Sequence, residues 1–199
     1  AGKNWRALLG VVISTGTWVV STGLFFGWKA WLDFFNNLPV ATAVLKSGSL
    51  PLYKMPTPTP GMLLLGVSPA NTQIIQILMS IISVALITYI WRYQANTTIK
   101  ISSLIVATFV ASPFGFDYDL VIMAPAIALI LSDSCASQKG YLVWALLFWL
   151  LPFLAPLISV LTRVPFAQII FLTYVTINFT ATWKSQQEKP PGIRSEQCI

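Results

Sequence analysis

Two aspartates, Asp117 and Asp119, stand on either side of Tyr118 between two strongly apolar runs of the chain. The chain has only six acidic residues, and a carboxylate close to lipid is costly unless it has a partner or a function. Such a pair can hold a cation or accept hydrogen bonds from a bound ligand. The alternative is local: Asp117 caps a helix that begins at Tyr118, and the helix dipole favours Asp119 in its first turn. The two roles are compatible.

The composition around these residues is that of a membrane protein. Of the 199 residues, 56% are hydrophobic and 9% are charged, whereas soluble domains have about 25% charged residues. Six apolar runs approach the ~20 residues that a spanning helix needs. The runs are 7–27, 72–91, 99–112, 118–131, 141–161 and 165–183. The third and fourth are short, so we expect either shallow spans or a re-entrant hairpin with the aspartates at its tip. The predicted fold class is an all-α integral membrane bundle of about six transmembrane helices.

The basic residues predict how the spans are oriented. They are scattered singly at the ends of apolar runs, so the net charge of +6 forms no patch for nucleic acid. With a cytoplasmic N-terminus, eight of the twelve basic residues fall inside, as the positive-inside rule requires. The four outside are Lys29, Lys46, Lys54 and Arg163. We therefore expect both termini in the cytoplasm and no nucleic-acid partner.

Residues 28–71 form the one long exterior loop of this topology. Its first part has apolar residues at helical spacing, which predicts an amphipathic helix that lies in the outer interface or packs on the bundle. These residues are Trp28, Trp31, Leu32, Phe35 and Leu38. The segment 50–61, here called the strap, carries four prolines that exclude a helix and favour an extended path over a cavity. Pro125, Pro152 and Pro156 are expected to kink the fourth and fifth runs.

The domain organisation follows from these patterns. Residues 1–183 are expected to form one multi-span membrane domain, and the polar residues 184–199 a disordered cytoplasmic tail. Cys135 and Cys198 fall on the cytoplasmic side, where thiols stay reduced. Because the sequence contains no histidine, histidine-dependent catalysis and histidine-ligated metals are excluded within these residues. No cofactor is assigned, and a role for a divalent metal is left open. Since the chain lacks an initiating methionine, we expect it to be the interior of a longer reading frame.

Several of these features occur in an order that is typical of one family. They are a basic entry at Lys3-Asn4-Trp5-Arg6, a span ending at Gly27, the exterior helix 28–38, the Met55-Pro56 strap leading to Leu65-Gly66, and Ala111-Ser112-Pro113 followed by Asp117-Tyr118-Asp119-Leu120. Over residues 3–132 the chain resembles the C-terminal half of glycosyltransferase family 87, polyprenyl-phosphate-sugar-dependent mannosyltransferases of the GT-C class. The sharpest element is Ser-Pro followed by Tyr-Asp-Leu at the start of an apolar helix.

The resemblance implies a membrane enzyme of the cell envelope with a GT-C-like C-terminal bundle, in the bacterial plasma membrane. Such an enzyme takes a hexose, typically mannose, from a polyprenyl-phosphate donor, with inversion. It transfers the sugar to a glycolipid or glycan acceptor on the non-cytoplasmic side, among membrane lipids. The resemblance also implies that the catalytic carboxylate lies upstream of Ala1, so that these residues alone would be inactive.

Residues for binding such a donor can be named. Displacement at an anomeric carbon needs a carboxylate to accept a proton and a cation to stabilise the departing phosphate. The candidate substrate-binding residues are Asp117, Tyr118, Asp119, Arg163, Lys54 and Tyr53. The aspartates could accept hydrogen bonds from sugar hydroxyls, and the tyrosines could stack on the ring. Arg163 is the first choice for the phosphate because its guanidinium can bind two oxygens; the alternative for each cation is a snorkelling side chain.

Two other functions fit the composition. One is a transporter or channel-like bundle in which Asp117 and Asp119 form an ion site. The other is a non-catalytic membrane scaffold. The long exterior loop favours the enzyme. A permeation path calls for polar residues within the spans, and the polar residues of these spans are mostly serine and threonine.

Overall fold

A computed structural model describes residues 5–47, 49–133 and 139–188. The chain divides into two compact units, Ala1–Leu50 and Pro51–Ile199. The first contains α1 (Trp5–Phe26) and α2 (Trp28–Lys46). The second contains a 3-10 helix (Leu52–Lys54), α3 (Pro58–Leu64), α4 (Pro69–Tyr93), α5 (Thr97–Ala111), a 3-10 tip helix (Asp117–Ile122), α6 (Met123–Ser132), α7 (Lys139–Thr162) and α8 (Phe166–Gln187). The described residues include no strand.

The first unit consists of two consecutive helices joined at Gly27. This glycine has φ +82°, a conformation that is unfavourable for residues with a side chain. The predicted amphipathic helix is confirmed as part of α2, which continues through Pro39 to Lys46. Its apolar residues, including Leu32 and Phe35, are largely exposed. An exposed apolar face is the kind of surface that lies in a membrane interface.

All six apolar runs form helices. Three stretches among the described residues are long and apolar enough to cross a membrane, Leu9–Phe26, Pro69–Tyr93 and Gly140–Thr162. α5 and α6 have only 15 and 10 residues, and α8 is long enough but buries polar residues such as Gln168 and Asn178. The described residues therefore confirm an all-helical membrane protein with three candidate spans, while the expected number of about six transmembrane helices is not confirmed.

α5 and α6 form an antiparallel hairpin with the aspartates at its tip. The side-chain amide of Asn96 donates to the Asp133 carboxylate at 2.8 Å, which joins the start of α5 to the end of α6. At the other end, the Gln76 amide of α4 donates to the carbonyl of Ala111 at 3.1 Å. The end of α5 therefore lies beside the N-terminal part of α4, and the hairpin tip is at this end of the second unit, where the tip helix packs against α6 and α7.

The hairpin stops short of the end of α4, and this leaves a recess. α4 begins at Pro69, but α5 ends beside Gln76, about 10 Å further along the axis at 1.5 Å per residue. α3 packs against α4, and the 3-10 helix Leu52–Lys54 packs against α7. The strap and α3 thus occupy the recess beyond the end of α5, beside the first two turns of α4.

Two glutamines hold the strap inside the bundle. The Nε2 group of Gln168 on α8 donates to the carbonyls of Met55 at 3.2 Å and Thr57 at 2.6 Å. The Oε1 atom of Gln76 accepts hydrogen bonds from the backbone nitrogen and the hydroxyl of Thr59, at 3.1 and 2.9 Å. Buried backbone groups need such partners, and a segment with alternating prolines cannot supply enough of them itself.

The expectation of a helix-free, extended strap is wrong. α3 begins at Pro58 and has Pro60 in its first turn. The first N–H groups of a helix have no partner within the helix, so proline is tolerated there. The same reason explains why Pro125, the third residue of α6, does not interrupt its helix. The two prolines of the fifth run do lie inside α7.

The chain forms two compact units, and the single multi-span membrane domain predicted for residues 1–183 stays a prediction. The predicted loop 28–71 divides at Leu50, because the hydrogen bonds of the strap are made with the helices of the second unit. At the other end, α8 continues to Gln187, so the tail boundary predicted at Lys184 lies within the helix. The rest of the predicted tail, residues 189–199, and both cysteines lie outside the described residues.

Gly61→Ala is expected to destabilise the second unit. A Cβ atom at Gly61 would lie 2.8 Å from both Gln168 Nε2 and Pro165 Cβ. Overpacking of this kind costs about 1–3 kcal/mol, more than the ~1 kcal/mol that alanine gains over glycine in a helix. Tryptophan fluorescence during heating in detergent should show a lower midpoint. The control is Gly140→Ala, where no atom lies within 4 Å; equal midpoints would show that the strap is not tightly packed.

The hairpin tip and the end of α8 should lie on opposite membrane faces. The Gln186 amide donates to a carbonyl at the end of α4 at 3.2 Å, whereas the hairpin tip is at the end of the unit where α4 begins. In a cysteine-free background, Phe114→Cys and Glu188→Cys should react with an impermeant maleimide from opposite sides of the membrane. Phe114 is 38% exposed, while a Cβ at Gly115 would meet the Thr57 methyl at 2.9 Å. Labelling of both cysteines from one side would contradict this arrangement.

Candidate functional site

A narrow cleft in the second unit lies between the strap, the tip helix, α7 and α8. Its polar lining residues are Tyr53, Lys54, Asp117, Ser159 and Gln168. The cavity has a volume of about 10 Å³, roughly the room that one water molecule needs. In this conformation the cleft is therefore too small to enclose a sugar.

Three of the six predicted substrate-binding residues meet at this cleft. Tyr53 and Lys54 come from the strap and are exposed, whereas Asp117 comes from the tip helix and is half-buried. The strap and the tip are linked directly, since the Thr57 hydroxyl donates to the carbonyl of Pro113 at 3.3 Å. The phenol and the ammonium of two adjacent strap residues thus lie at the same cleft as a carboxylate that is distant in the sequence.

The two aspartates have different surroundings. The Asp119 carboxylate accepts a hydrogen bond from the backbone nitrogen of Phe116 at 2.8 Å and holds the turn closed. The Asp117 carboxylate accepts one from the backbone nitrogen of Tyr118 at 3.0 Å and also lines the cleft. The tip helix begins at Asp117 after Phe116. The expectation that Asp117 caps a helix starting at Tyr118 is therefore wrong by one residue, because Asp119 makes the bond to the capping position.

Tyr118 lies on the surface of the tip and is not among the residues that line the cleft. Its side chain is 69% exposed. Its ring stacks on that of Phe116, with 5.3 Å between the centroids. The exposed Tyr118 ring therefore lies next to the aspartates, packed on the half-buried Phe116.

Arg163 is likewise not among the lining residues of the cleft. It follows the last residue of α7 with φ +59°, and its backbone nitrogen donates to the carbonyl of Ser159 at 3.0 Å. A left-handed residue of this kind ends a helix. Arg163 belongs to the link between α7 and α8, residues 163–165, and its side chain is exposed. Ser159 and Gln168, which lie before and after this link in the sequence, do line the cleft. The cation at the cleft is Lys54, not the arginine that was the first choice for the phosphate.

Ser159 and Gln168 were missed in the sequence analysis. They are 4% and 5% exposed, and the Ser159 hydroxyl donates to the carbonyl of Val164 at 3.0 Å. A polar side chain within an apolar membrane helix is costly without partners. The carboxamide near the start of the sixth apolar run was therefore the signal that could have identified Gln168.

The described residues contain no group of three or more histidine, cysteine, aspartate or glutamate side chains that could hold a metal. The two aspartates of the tip also make different contacts. The Asp119 carboxylate accepts a hydrogen bond from the backbone of the turn, whereas Asp117 lines the cleft. The paired-carboxylate ion site of a transporter therefore finds no support in this geometry.

Two further cavities, both in the first unit, are apolar. They have volumes of about 310 and 350 Å³ and share Thr22 and Phe26 in their lining. Trp18 and Trp31 line one each. The Thr22 hydroxyl is bonded within α1, to the carbonyl of Trp18 at 2.8 Å. These grooves offer surface for lipid chains but no charged group, so the cleft is the candidate functional site.

A comparison with known families gives one match. The sequence model of glycosyltransferase family 87 matches residues 1–113, which is more than half of the 199 residues. The match confirms the resemblance over α1, α2, the strap and α3 to α5, and it includes Tyr53 and Lys54. It ends before Asp117. No curated protein and no solved structure matches the chain.

Arg163→Gly is expected to be more stable than Arg163→Ala. Glycine adopts the observed φ of +59° without the steric cost of roughly 1–2 kcal/mol that other residues have in the left-handed region. Thermal unfolding of both variants in detergent gives the comparison, with the wild type as reference. Identical midpoints for the two variants would show that the link is not left-handed in solution.

Proposed function

Because this chain belongs to glycosyltransferase family 87, we propose that it transfers a hexose, specifically mannose, from polyprenyl phosphate to a glycolipid or glycan acceptor. Membership of the family makes it a membrane glycosyltransferase that works on a donor and an acceptor in a lipid environment. The donor, the sugar and the side of the membrane are the proposed part. The transfer experiment with Asp117 described below tests the donor and the sugar, and the side from which Phe114→Cys reacts with an impermeant maleimide tests the side of the membrane.

The observation that carries the proposal is the meeting of Lys54 and Asp117 at one cleft. A sugar phosphate has an anionic phosphate next to neutral hydroxyl groups, and it needs a cation and an acceptor close together. The Lys54 ammonium supplies a compact positive charge for the phosphate. The Asp117 carboxylate accepts hydrogen bonds from the sugar hydroxyls, and the exposed Tyr53 offers its ring to the sugar at the mouth of the cleft.

In the proposed reaction the acceptor hydroxyl attacks the anomeric carbon of the donor from the side opposite the phosphate. A carbon–oxygen bond to the acceptor forms while the bond to the phosphate oxygen breaks, so the configuration inverts. The hydroxyl proton passes to a carboxylate base, and polyprenyl phosphate leaves with the bonding electrons. Lys54 stabilises the negative charge that grows on this phosphate. As the family resemblance implies, the base is expected upstream of Ala1.

We further propose that the cleft opens on the non-cytoplasmic face of a bacterial plasma membrane. The opposite end of the bundle carries Arg92 at the end of α4, Lys100 in the first turn of α5 and Lys184 near the end of α8. Basic residues concentrate on the cytoplasmic side of membrane proteins. This distribution supports a cytoplasmic position for that end and an exterior position for Lys54.

Asp117→Asn in the full-length protein should reduce transfer from radiolabelled polyprenyl-phosphate mannose by about tenfold, because hydrogen bonds from sugar hydroxyls to a neutral carboxamide are weaker than those to a carboxylate. Asp119→Asn retains an oxygen that can accept from Phe116 and should keep most of the activity. Transfer is measured in membranes with the endogenous lipid acceptors. Wild-type activity in the Asp117→Asn variant, or an equal loss in both variants, would contradict the assigned roles.

A further inference from the structure

Gln168 lies where the strap meets the cleft. It belongs to the first turn of α8 and lines the cleft together with Lys54 and Asp117. Only 5% of its surface is exposed. A carboxamide buried in a membrane bundle needs partners for its polar atoms, and the partners of its Nε2 group are both in the strap.

The two hydrogen bonds of Gln168 fix a short piece of strap backbone. Its Nε2 donates to the carbonyls of Met55 at 3.2 Å and Thr57 at 2.6 Å. Between these residues lies Pro56, whose φ is fixed by its ring. Lys54 directly precedes Met55, so the position of its backbone is set by the same contacts.

The carboxamide has little freedom to move away from the strap. On the side of α3, a Cβ atom at Gly61 would lie 2.8 Å from Gln168 Nε2 and 3.0 Å from its Cδ. Gly61 therefore leaves just enough room for the Gln168 side chain between α3 and the strap. Packing of this kind restricts the rotamers that a side chain can adopt.

We propose that Gln168 is a positioning residue that acts through the strap backbone and holds Lys54 at the mouth of the cleft. The inference rests on the proposed function, in which Lys54 contacts the phosphate of the donor. Gln168 itself need not touch the donor. Its effect on transfer passes through Lys54, so it disappears when the lysine charge is already gone.

Gln76 provides a matched control. It is also a buried glutamine that holds the strap, through Thr59, and it donates to the carbonyl of Ala111. It is not among the residues that line the cleft, and its strap contact is further along the chain from Lys54. Replacing it removes more hydrogen bonds than replacing Gln168 does, without releasing the backbone next to Lys54.

A double-mutant cycle separates positioning from general stability. It uses the full-length protein and radiolabelled polyprenyl-phosphate mannose. Lys54→Met should raise the KM for this donor about tenfold, as expected for a lost charge-assisted hydrogen bond, and Gln168→Met should raise it several-fold with a smaller effect on kcat. The double variant should be no worse than Lys54→Met alone, whereas Gln76→Met should combine additively with Lys54→Met. Additive losses for Gln168 and Lys54 would overturn the proposal.

A second measurement does not depend on activity. A nitroxide label on Lys54→Cys, with every native cysteine replaced by serine, should become clearly more mobile when Gln168→Met is added and change less with Gln76→Met. An unchanged spectrum with Gln168→Met would overturn the positioning role. If the label becomes mobile while Lys54→Met transfers mannose normally, the positioning of residue 54 stands and the proposed contact with the donor phosphate fails.

Discussion

A proline-rich backbone can lie inside a membrane bundle only if its polar groups find partners there, and two glutamines supply those partners. Gln76 accepts from Thr59 and also donates to the carbonyl of Ala111 at the end of α5, where helix carbonyls lack partners within the helix. Gln168 bonds two strap carbonyls from the other side. With two apolar residues in their place, these backbone groups would be buried without partners, and the strap could not stay in the recess.

The candidate site follows from this constraint. Because α5 is short, it ends about 10 Å along the axis from the start of α4, and the strap occupies the space that this leaves. The strap then brings Lys54 and Tyr53 to the cleft that Asp117 lines. A cation and a carboxylate beside one cleft suit a sugar phosphate, the class of ligand that a membrane glycosyltransferase using a lipid-linked donor must bind.

The apolar runs predicted α1, α4, α7 and α8 and the short helices on either side of the aspartates, and amphipathic spacing predicted α2, because both patterns are properties of the local sequence. The path of the strap was not predictable in this way. Prolines in the first turn of a helix and in an extended segment look alike, and the choice here depends on Gln76 and Gln168, which are distant in sequence. The different roles of Asp117 and Asp119 depend on where the tip helix begins, to within one residue. Arg163 had the right chemistry for a phosphate, but its place in the link after α7 left the cleft to Lys54.

The most direct test of this account is a cryo-EM structure of the full-length protein in lipid nanodiscs with polyprenyl-phosphate mannose and no acceptor. The account predicts the phosphate within hydrogen-bond distance of the Lys54 ammonium and a sugar hydroxyl donating to the Asp117 carboxylate, with the strap still bonded to Gln168. A donor bound elsewhere, with Lys54 and Asp117 both remote from it, would contradict the account.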